Sequence, residues 1–245
     1  MRTIKLTIEY EGTHYLGWQV QPNGSTLQGV LEEKLSSLTG EKIDLLGSGR
    51  TDAGVHALGQ VAHFKTKSQL EVQTIQRALN SLLPSDIVIQ KVEEVEGGFH
   101  ARRSSKSKVY EYRILNRHLR SVFQRAYAWH IPQTLNIREM KKAARSLMGE
   151  HDFSSFQSVG SPKRTAVRKV TRAEWKRSPD GLLRFEIEAN GFLKQMVRAI
   201  VGTLVEVGRR KITSDQFQEI LDSRERKKAG PTAHAHGLFL KEVKY

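Results

Sequence analysis

The stretch V-T-R-A-E-W-K-R-S-P-D-G-L-L-R-F-E-I-E-A, Val170 to Ala189, decides the fold class of this chain. Its first arm is rich in β-branched and aromatic residues, and apolar Leu183, Phe185 and Ile187 alternate with charged residues along the second arm. The Pro-Asp-Gly triplet between the arms is typical of a tight turn. The stretch therefore predicts an antiparallel hairpin with one buried face.

Helical patterns flank this hairpin on both sides. Apolar residues at helical spacing predict one helix over about Ile137–Met148, closed by Gly149, and another from about Leu193 to Val205. Thr213 is a candidate cap for a third, shorter helix. Alternation over Leu238–Tyr245 predicts a final strand.

The first half of the chain repeats this order of elements without repeating the sequence. Ser25 and Gln28 predict a capping box for a helix that Gly40 ends. Mixed helices and hairpin strands predict an α+β protein, with a boundary between halves near residues 105–135. The other elements predicted in this half are the strands Arg2–Tyr10, Ile43–Leu46, Ile87–Val92 and Lys108–Leu115 and the helix Val72–Leu83.

The length and amino-acid composition of the chain exclude several classes of protein. A chain of 245 residues with 38% hydrophobic residues has room for a sizeable core. The absence of cysteine excludes disulfides, thiolate zinc sites and a cysteine nucleophile, and it favours a reducing, cytoplasmic location. No stretch approaches the roughly 18 apolar residues that a membrane span requires, so we expect no membrane partner.

The charge balance predicts a polyanionic partner. Forty Lys and Arg against 26 Asp and Glu give a formal charge of +14, and nucleic acid is favoured over anionic lipid because no basic helix presents an exposed aromatic face. The basic residues gather in four clusters: Arg102, Arg103, Lys106 and Lys108; Lys163, Arg164, Arg168, Lys169 and Arg172; Arg209, Arg210 and Lys211; Arg224, Arg226, Lys227 and Lys228.

One carboxylate is a candidate nucleophile. Asp52 lies in G-S-G-R-T-D-A-G-V-H-A, Gly47 to Ala57, where Gly49 and Gly54 are expected to bend the backbone and Arg50 to balance the charge before RNA binds. A plain Asx turn is the alternative interpretation. A phosphate cradle is rejected because the central acid would repel phosphate and no apolar helix follows directly. A glycosidase would need a second carboxylate, and none is obvious.

Four ordered blocks carry a family resemblance. They are Tyr10–Gln19, Gly49–His56, Phe99–Arg102 with Tyr110–Tyr112, and Gly191–Arg198. Together they resemble the tRNA pseudouridine synthases of the TruA family, and the resemblance extends from Tyr10 to Tyr245. His234 departs from the family, which tends to have Pro there.

The resemblance implies two pseudo-equivalent halves, residues 1–115 and 116–245, which share a curved, mainly antiparallel sheet with helices packed on it and a basic cleft between them. It implies isomerisation of uridine to pseudouridine at positions 38, 39 and 40 of the tRNA anticodon arm. It also implies that no metal or organic cofactor takes part and that the protein is a homodimer.

The resemblance also assigns roles to individual residues. Asp52 matches the family nucleophile, which would add to C6 of uracil, attack C1′ or remove a sugar proton. Tyr110 matches a tyrosine that stacks on the flipped base, although periodicity alone favours a core residue. Arg198 matches a basic residue that faces the nucleophile, and its apolar neighbours favour an anionic partner. Arg102 is expected to contact phosphate.

The sequence contains further histidine and tryptophan residues that could bind a metal or RNA. The His234-Ala-His236 triplet is a weak metal motif, so we expect no metal. His56 and His63 are expected to be structural, and Trp18 is either a core residue or an RNA-stacking one. Rival functions are a noncatalytic RNA-binding protein and a nuclease or glycosidase that acts on RNA.

Overall fold

A computed structural model describes residues 1–158 and 165–245 of the chain. Lys163 and Arg164, which belong to the second basic cluster, lie outside the described residues. The chain forms two compact units. The N-terminal unit comprises Met1–Lys106 and Phe239–Tyr245, and the C-terminal unit comprises Ser107–Leu238.

Strands and helices are interspersed along the described residues. The strands are β1 Arg2–Tyr10, β2 Leu46–Gly47, β3 His56–Thr66, β4 Ile87–Val95, β5 Ser107–Leu115, β6 Trp129–His130, β7 Gly149–Asp152, β8 Val167–Arg177, β9 Leu182–Ala189 and β10 Leu238–Lys244. The helices are α1 Leu27–Thr39, α2 Val72–Leu82, α3 Ile137–Arg145, α4 Met196–Gly208 and α5 Ser214–Ser223. Most strand pairs are antiparallel, so the predicted α+β class is confirmed.

In the N-terminal unit, β1 lies between β3 and β4. It pairs antiparallel with β3 and with β4, so that Leu6 lies opposite both Ala62 and Val92. Strand β10 runs parallel to β3, with Phe239 opposite His56. The predicted alternation of β1 is confirmed, because its apolar residues Ile4, Leu6 and Ile8 are fully buried. This sheet presents the loop between β2 and β3, which carries Asp52.

In the C-terminal unit, the hairpin predicted from Val170–Ala189 is present as β8 and β9. Gly181 supplies the turn with a φ of 85°, and its amide donates to the Ser178 carbonyl at 3.1 Å. Strand β9 also pairs antiparallel with β5, where Tyr110 lies opposite Ile187. The buried face of β9 includes Phe185, Ile187 and Ala189. Helix α4 is buried along almost its whole length.

Several predicted element ends are wrong, for local reasons. Thr26, rather than Ser25, caps α1, because the Thr26 hydroxyl accepts from the Gly29 amide. Helix α3 ends at Arg145 instead of Met148, and the amide of Ser146 turns back to Ala143. Helix α4 begins at Met196 instead of Leu193, since Gln195 has a left-handed φ of 61°.

The predicted strand Ile43–Leu46 is also wrong, because only Leu46–Gly47 pairs with β3. Ile43 and Leu45 are nevertheless buried, each 3% exposed or less. The Leu45 amide bonds to the carboxylate of Glu32 on α1 and not to a strand. The apolar pattern at this point therefore reflects packing against a helix rather than sheet pairing.

The first segment of the N-terminal unit ends at Lys106, inside the expected boundary range of residues 105–135, and the units differ from residues 1–115 and 116–245 in two places. Strand β5 belongs to the C-terminal unit, and Phe239–Tyr245 belongs to the N-terminal unit. The pairing of β10 with β3 explains the second difference, because it brings the end of the chain back to the first sheet. Among the helices of the described residues, none is long and apolar enough to cross a membrane.

Candidate active site

The loop that carries Asp52 is held through the preceding residue, Thr51. The hydroxyls of Tyr10 and Thr51 form a hydrogen bond of 2.8 Å, and the Trp18 amide donates to the Thr51 carbonyl oxygen at 3.1 Å. Burial raises the pKa of the Tyr10 phenol, so this hydroxyl stays protonated. Tyr10, Thr51 and Trp18 are all buried, so these two bonds fix Thr51 within the core.

Two glycines let the segment after β1 pass directly over this loop. A Cβ on Gly17 would lie 2.6 Å from the Thr51 carbonyl oxygen, and Gly17 has a φ of 92°. A Cβ on Gly12 would overlap the Val55 carbonyl oxygen. The two backbones are thus in contact on both sides of Asp52.

Asp52 begins a tight turn. Its carbonyl oxygen accepts from the Val55 amide at 3.1 Å, and Gly54 supplies a left-handed φ of 76°. The Asp52 residue is only half-buried. The expected bend at Gly54 is therefore confirmed, whereas Gly49 is not among the glycines with positive φ.

A buried polar pair holds the other end of the loop. Ser48 donates from its hydroxyl to Gln60 Oε1 at 2.7 Å, and Gln60 Nε2 donates to the Gly49 carbonyl at 3.0 Å. Both Ser48 and Gln60 are fully buried. The loop is thus anchored on both sides of Arg50, at Ser48 and Gly49 before it and at Thr51 after it, and Arg50 itself is exposed.

Trp18, His56 and His63 are all buried within this unit. Trp18 is 2% exposed, which confirms its interpretation as a core residue. His56 is buried, accepts from the Gly12 amide at Nδ1 and stacks on Phe239 with a centroid distance of 4.7 Å. His63 is also buried, and burial lowers its pKa.

Arg102 projects from a turn that is itself anchored. Ala101 is fully buried, its amide donates to His63 Nδ1 at 3.2 Å, and its carbonyl accepts from the Tyr245 hydroxyl at 2.8 Å. Arg102 follows directly and is exposed. This placement suits a contact with phosphate, since the backbone is fixed and the charge is solvated.

Tyr110 and Arg198 belong to the C-terminal unit. Tyr110 lies on β5, is 7% exposed and forms a T-shaped contact with the Phe192 ring at a centroid distance of 4.9 Å. Arg198 lies in the first turn of α4 and is half-buried. Its Nε donates to the Ala233 carbonyl at 2.8 Å, which fixes the plane of the guanidinium.

Tyr112 and His236 lie close enough to Arg198 to feel its charge. The Tyr112 hydroxyl donates to the His234 carbonyl at 2.8 Å. The rings of His234 and His236 stack at 5.4 Å. Burial lowers the pKa of His236, with smaller contributions in the same direction from the charges of His234 and Arg198. In residues 1–158 and 165–245, no three His, Cys, Asp or Glu side chains are arranged to hold a metal ion.

Sequence reasoning missed the residues that hold the Asp52 loop. No local sequence pattern marks Tyr10, Gly12 or Gln60, and the residues that they contact are distant in the chain. One signal was present, because Gln60 begins the largely apolar segment Gln60–Phe64 that follows the loop. A polar residue within a buried strand requires a partner.

Comparison with known proteins places this chain in a family. The sequence profile of a family described as tRNA pseudouridine synthase matches residues 6–102 and 143–245. Proteins named tRNA pseudouridine synthase A from Thermoanaerobacter sp. (strain X514) and from Acetivibrio thermocellus are each 49% identical over 245 residues, which cover 100% of both chains in each comparison. A chain of a solved Cbf5-Nop10-Gar1 complex aligns over 82% of this chain and 45% of that one, at 15% identity and a TM-score of 0.38, which is too low to support a conclusion.

The match spans both compact units and includes the Asp52 loop as well as α4. The chain therefore belongs to the tRNA pseudouridine synthase family. It is a pseudouridine synthase, and hence an isomerase.

Proposed function

We propose that this enzyme isomerises uridine to pseudouridine at positions 38, 39 and 40 in the anticodon stem and loop of tRNA, with Asp52 as the nucleophile and without a cofactor. The observation that carries the proposal is the half-buried residue Asp52 at the start of a turn that buried hydrogen bonds hold on both sides, from Tyr10 to Thr51 before it and from the Gly12 amide to His56 after it. A rigidly mounted carboxylate suits covalent chemistry on a flipped nucleotide.

The reaction requires a closed and well-ordered site. The bond from N1 of uracil to C1′ breaks, the base rotates, and a bond from C5 to C1′ replaces it while C5 loses its proton and N1 gains one. The detached base has to stay beside the reactive sugar throughout, so positioning contributes much of the catalysis. The anchored loop supplies such positioning on the side of Asp52.

Basic residues would bind the RNA. Arg102 is exposed on an anchored turn, and Arg50 is exposed on the loop of Asp52, so both suit contacts with phosphate or with the flipped nucleotide. Arg198 would face the anionic reaction centre. The formal charge of +14 supports tRNA as the partner. We further propose that the enzyme is a cytoplasmic homodimer.

Tyr110 would stack on the flipped uracil and assist removal of the C5 proton. We expect Tyr110→Phe to lower the single-turnover rate roughly a hundredfold, because Phe keeps the ring and its edge contact with Phe192 but has no hydroxyl for proton transfer. Binding of tRNA, measured by filter retention, should be unchanged. Tyr110→Leu, which removes the ring as well, should be slower still, and equal rates for the native enzyme and Tyr110→Phe would contradict the role of the hydroxyl.

The reaction itself is tested with tRNA that carries tritium at C5 of uridine. We expect release of tritium to water, with the loss confined to positions 38, 39 and 40 and with RNA length and mass otherwise unchanged. Shortened RNA would identify a nuclease, and free uracil would identify a glycosidase. Binding without tritium release would identify a noncatalytic RNA-binding protein, and each of these three results would overturn the proposal.

A further inference from the structure

A segment near the end of the chain lies in direct backbone contact with α4. A Cβ on Gly202 would overlap the Pro231 carbonyl oxygen, and a Cβ on Gly230 would lie 2.9 Å from the Thr203 Cα. Pairs of small residues at such a crossing allow the two backbones to touch. The segment Gly230–Ala233 is therefore seated on the middle of α4.

Thr203 connects the helix to this segment. Its Oγ1 accepts from the Gly230 amide at 2.9 Å and donates to the Ala199 carbonyl at 2.8 Å. Thr203 is fully buried. The Thr203 hydroxyl thus accepts from the segment and donates to the helix at the same time, and it joins the two without a bridging water.

The far end of the same segment holds Arg198. The Ala233 carbonyl accepts from Arg198 Nε at 2.8 Å, and the Ala233 amide donates to the Arg198 carbonyl at 3.0 Å. Ala233 is 1% exposed. The direction of the guanidinium therefore depends on where the segment places this carbonyl oxygen.

Arg226 holds the segment from a second side. Its Nη1 donates to the Gly230 carbonyl at 3.0 Å, and its Nη2 donates to the Thr232 hydroxyl at 2.9 Å. These bonds fix the curvature of the segment, whereas the bond from Thr203 fixes its seat on α4. Loss of the Thr203 hydroxyl would remove the acceptor of the part-buried Gly230 amide and would favour a shift of the whole segment.

We propose that Thr203 is a positioning residue for the isomerisation: its hydroxyl seats Gly230–Ala233 on α4, so that the Ala233 carbonyl orients the Arg198 guanidinium. The inference rests on the proposed role of Arg198 at the reaction centre. Thr203 itself contacts no substrate and acts only through the segment.

The kinetic test compares Thr203→Val, Thr203→Ser and Ser155→Ala. Val matches the shape of Thr without the hydroxyl, and Ser keeps the hydroxyl. Ser155→Ala is the matched control, because Ser155 is also fully buried in the same unit and bonds to a carbonyl, that of Ile220, at 2.6 Å. We expect Thr203→Val to lower kcat roughly tenfold with little change in KM, and Thr203→Ser and Ser155→Ala to stay within about twofold of the native enzyme. Equal losses in Thr203→Val and Ser155→Ala would overturn the proposal.

A double-mutant cycle shows whether Thr203 acts through Arg198. In an Arg198→Met background, Thr203→Val should cause no further loss beyond that of Ser155→Ala in the same background. A further tenfold loss would show that Thr203 affects the reaction by another route. If Arg198→Met reacts at the native rate, the proposed role of Arg198 is refuted. If Thr203→Val alone is still slow in that case, its effect does not pass through Arg198, and the positioning role is refuted as well.

A spectroscopic readout separates this inference from the proposed function. The Nε–H of Arg198 should give a protected resonance in a ¹⁵N spectrum, which is assigned by its absence in Arg198→Met. In Thr203→Val this resonance should shift and exchange faster with water, whereas in Thr203→Ser and Ser155→Ala it should not. The expected change of the resonance does not depend on activity towards tRNA. An unchanged resonance in Thr203→Val would overturn the positioning role.

Discussion

Asp52→Asn is expected to lower the single-turnover rate of pseudouridine formation at least about a thousandfold, as removal of a catalytic nucleophile does in other enzymes. The amide has the shape of the carboxylate without its negative charge. The turn itself should persist, since it is held by the backbone of Asp52, the φ of Gly54 and the buried hydroxyl of Thr51. The change therefore removes chemistry and leaves the fold in place.

The measurement for this variant is tritium release, together with binding of tRNA at a stated salt concentration. Binding should be kept or slightly strengthened, because the variant removes one negative charge from a basic protein. Asp44→Asn is the control for that change of charge, since Asp44 is exposed and lies outside the loop. Comparable rates for the native enzyme and Asp52→Asn would refute the nucleophile, and loss of binding would show that Asp52 has a structural role.

Among glycine-to-alanine substitutions in the N-terminal unit, Gly12→Ala should cause the largest loss of stability. The added Cβ would overlap the Val55 carbonyl oxygen, which is backbone and cannot rotate away. Overpacking of this kind costs about 3 kcal/mol. Because Val55 closes the turn of Asp52, we also expect lower activity in the fraction that folds.

The control is Gly98→Ala, which meets no heavy atom within 4 Å and is not among the glycines of positive φ. It should leave stability within about 0.5 kcal/mol of the native value. Urea unfolding followed by circular dichroism gives the comparison, and tritium release at low temperature gives the activity. Equal midpoints for the two variants would show that the segment after β1 can move away from the Asp52 loop at little cost.

Much of the fold was predictable from local patterns. The alternation of Arg2–Tyr10 and the hairpin of Val170–Ala189 are both present, because a half-buried strand repeats every two residues and a Pro-Asp-Gly turn reverses it. The predicted cap at Thr213 is also present, and there it is part of a capping box with Gln216. Element ends were less predictable, and Thr26 rather than Ser25 caps α1 since the choice between adjacent hydroxyls depends on backbone geometry.

Part of the candidate site could be predicted from the sequence and part could not. Asp52 could be singled out from its own loop, because a lone acid between glycines and beside an arginine is a local feature. The residues that hold it could not, since the bonds from Tyr10 to Thr51 and from Ser48 to Gln60 join different elements. No periodicity reports which polar atoms will meet when two strands pair.

The sequence by itself determined the α+β class, the five helices of the described residues, the hairpin of Val170–Ala189 and the candidate nucleophile, because periodicity, turn residues and a distinctive loop are properties of neighbouring residues. Only the tertiary structure decided how Gly12 approaches the turn of Asp52 and how Thr203 seats the segment that orients Arg198. These contacts join residues far apart in the chain. Their existence depends on the complete packing of each unit, in which every buried donor has to find its acceptor.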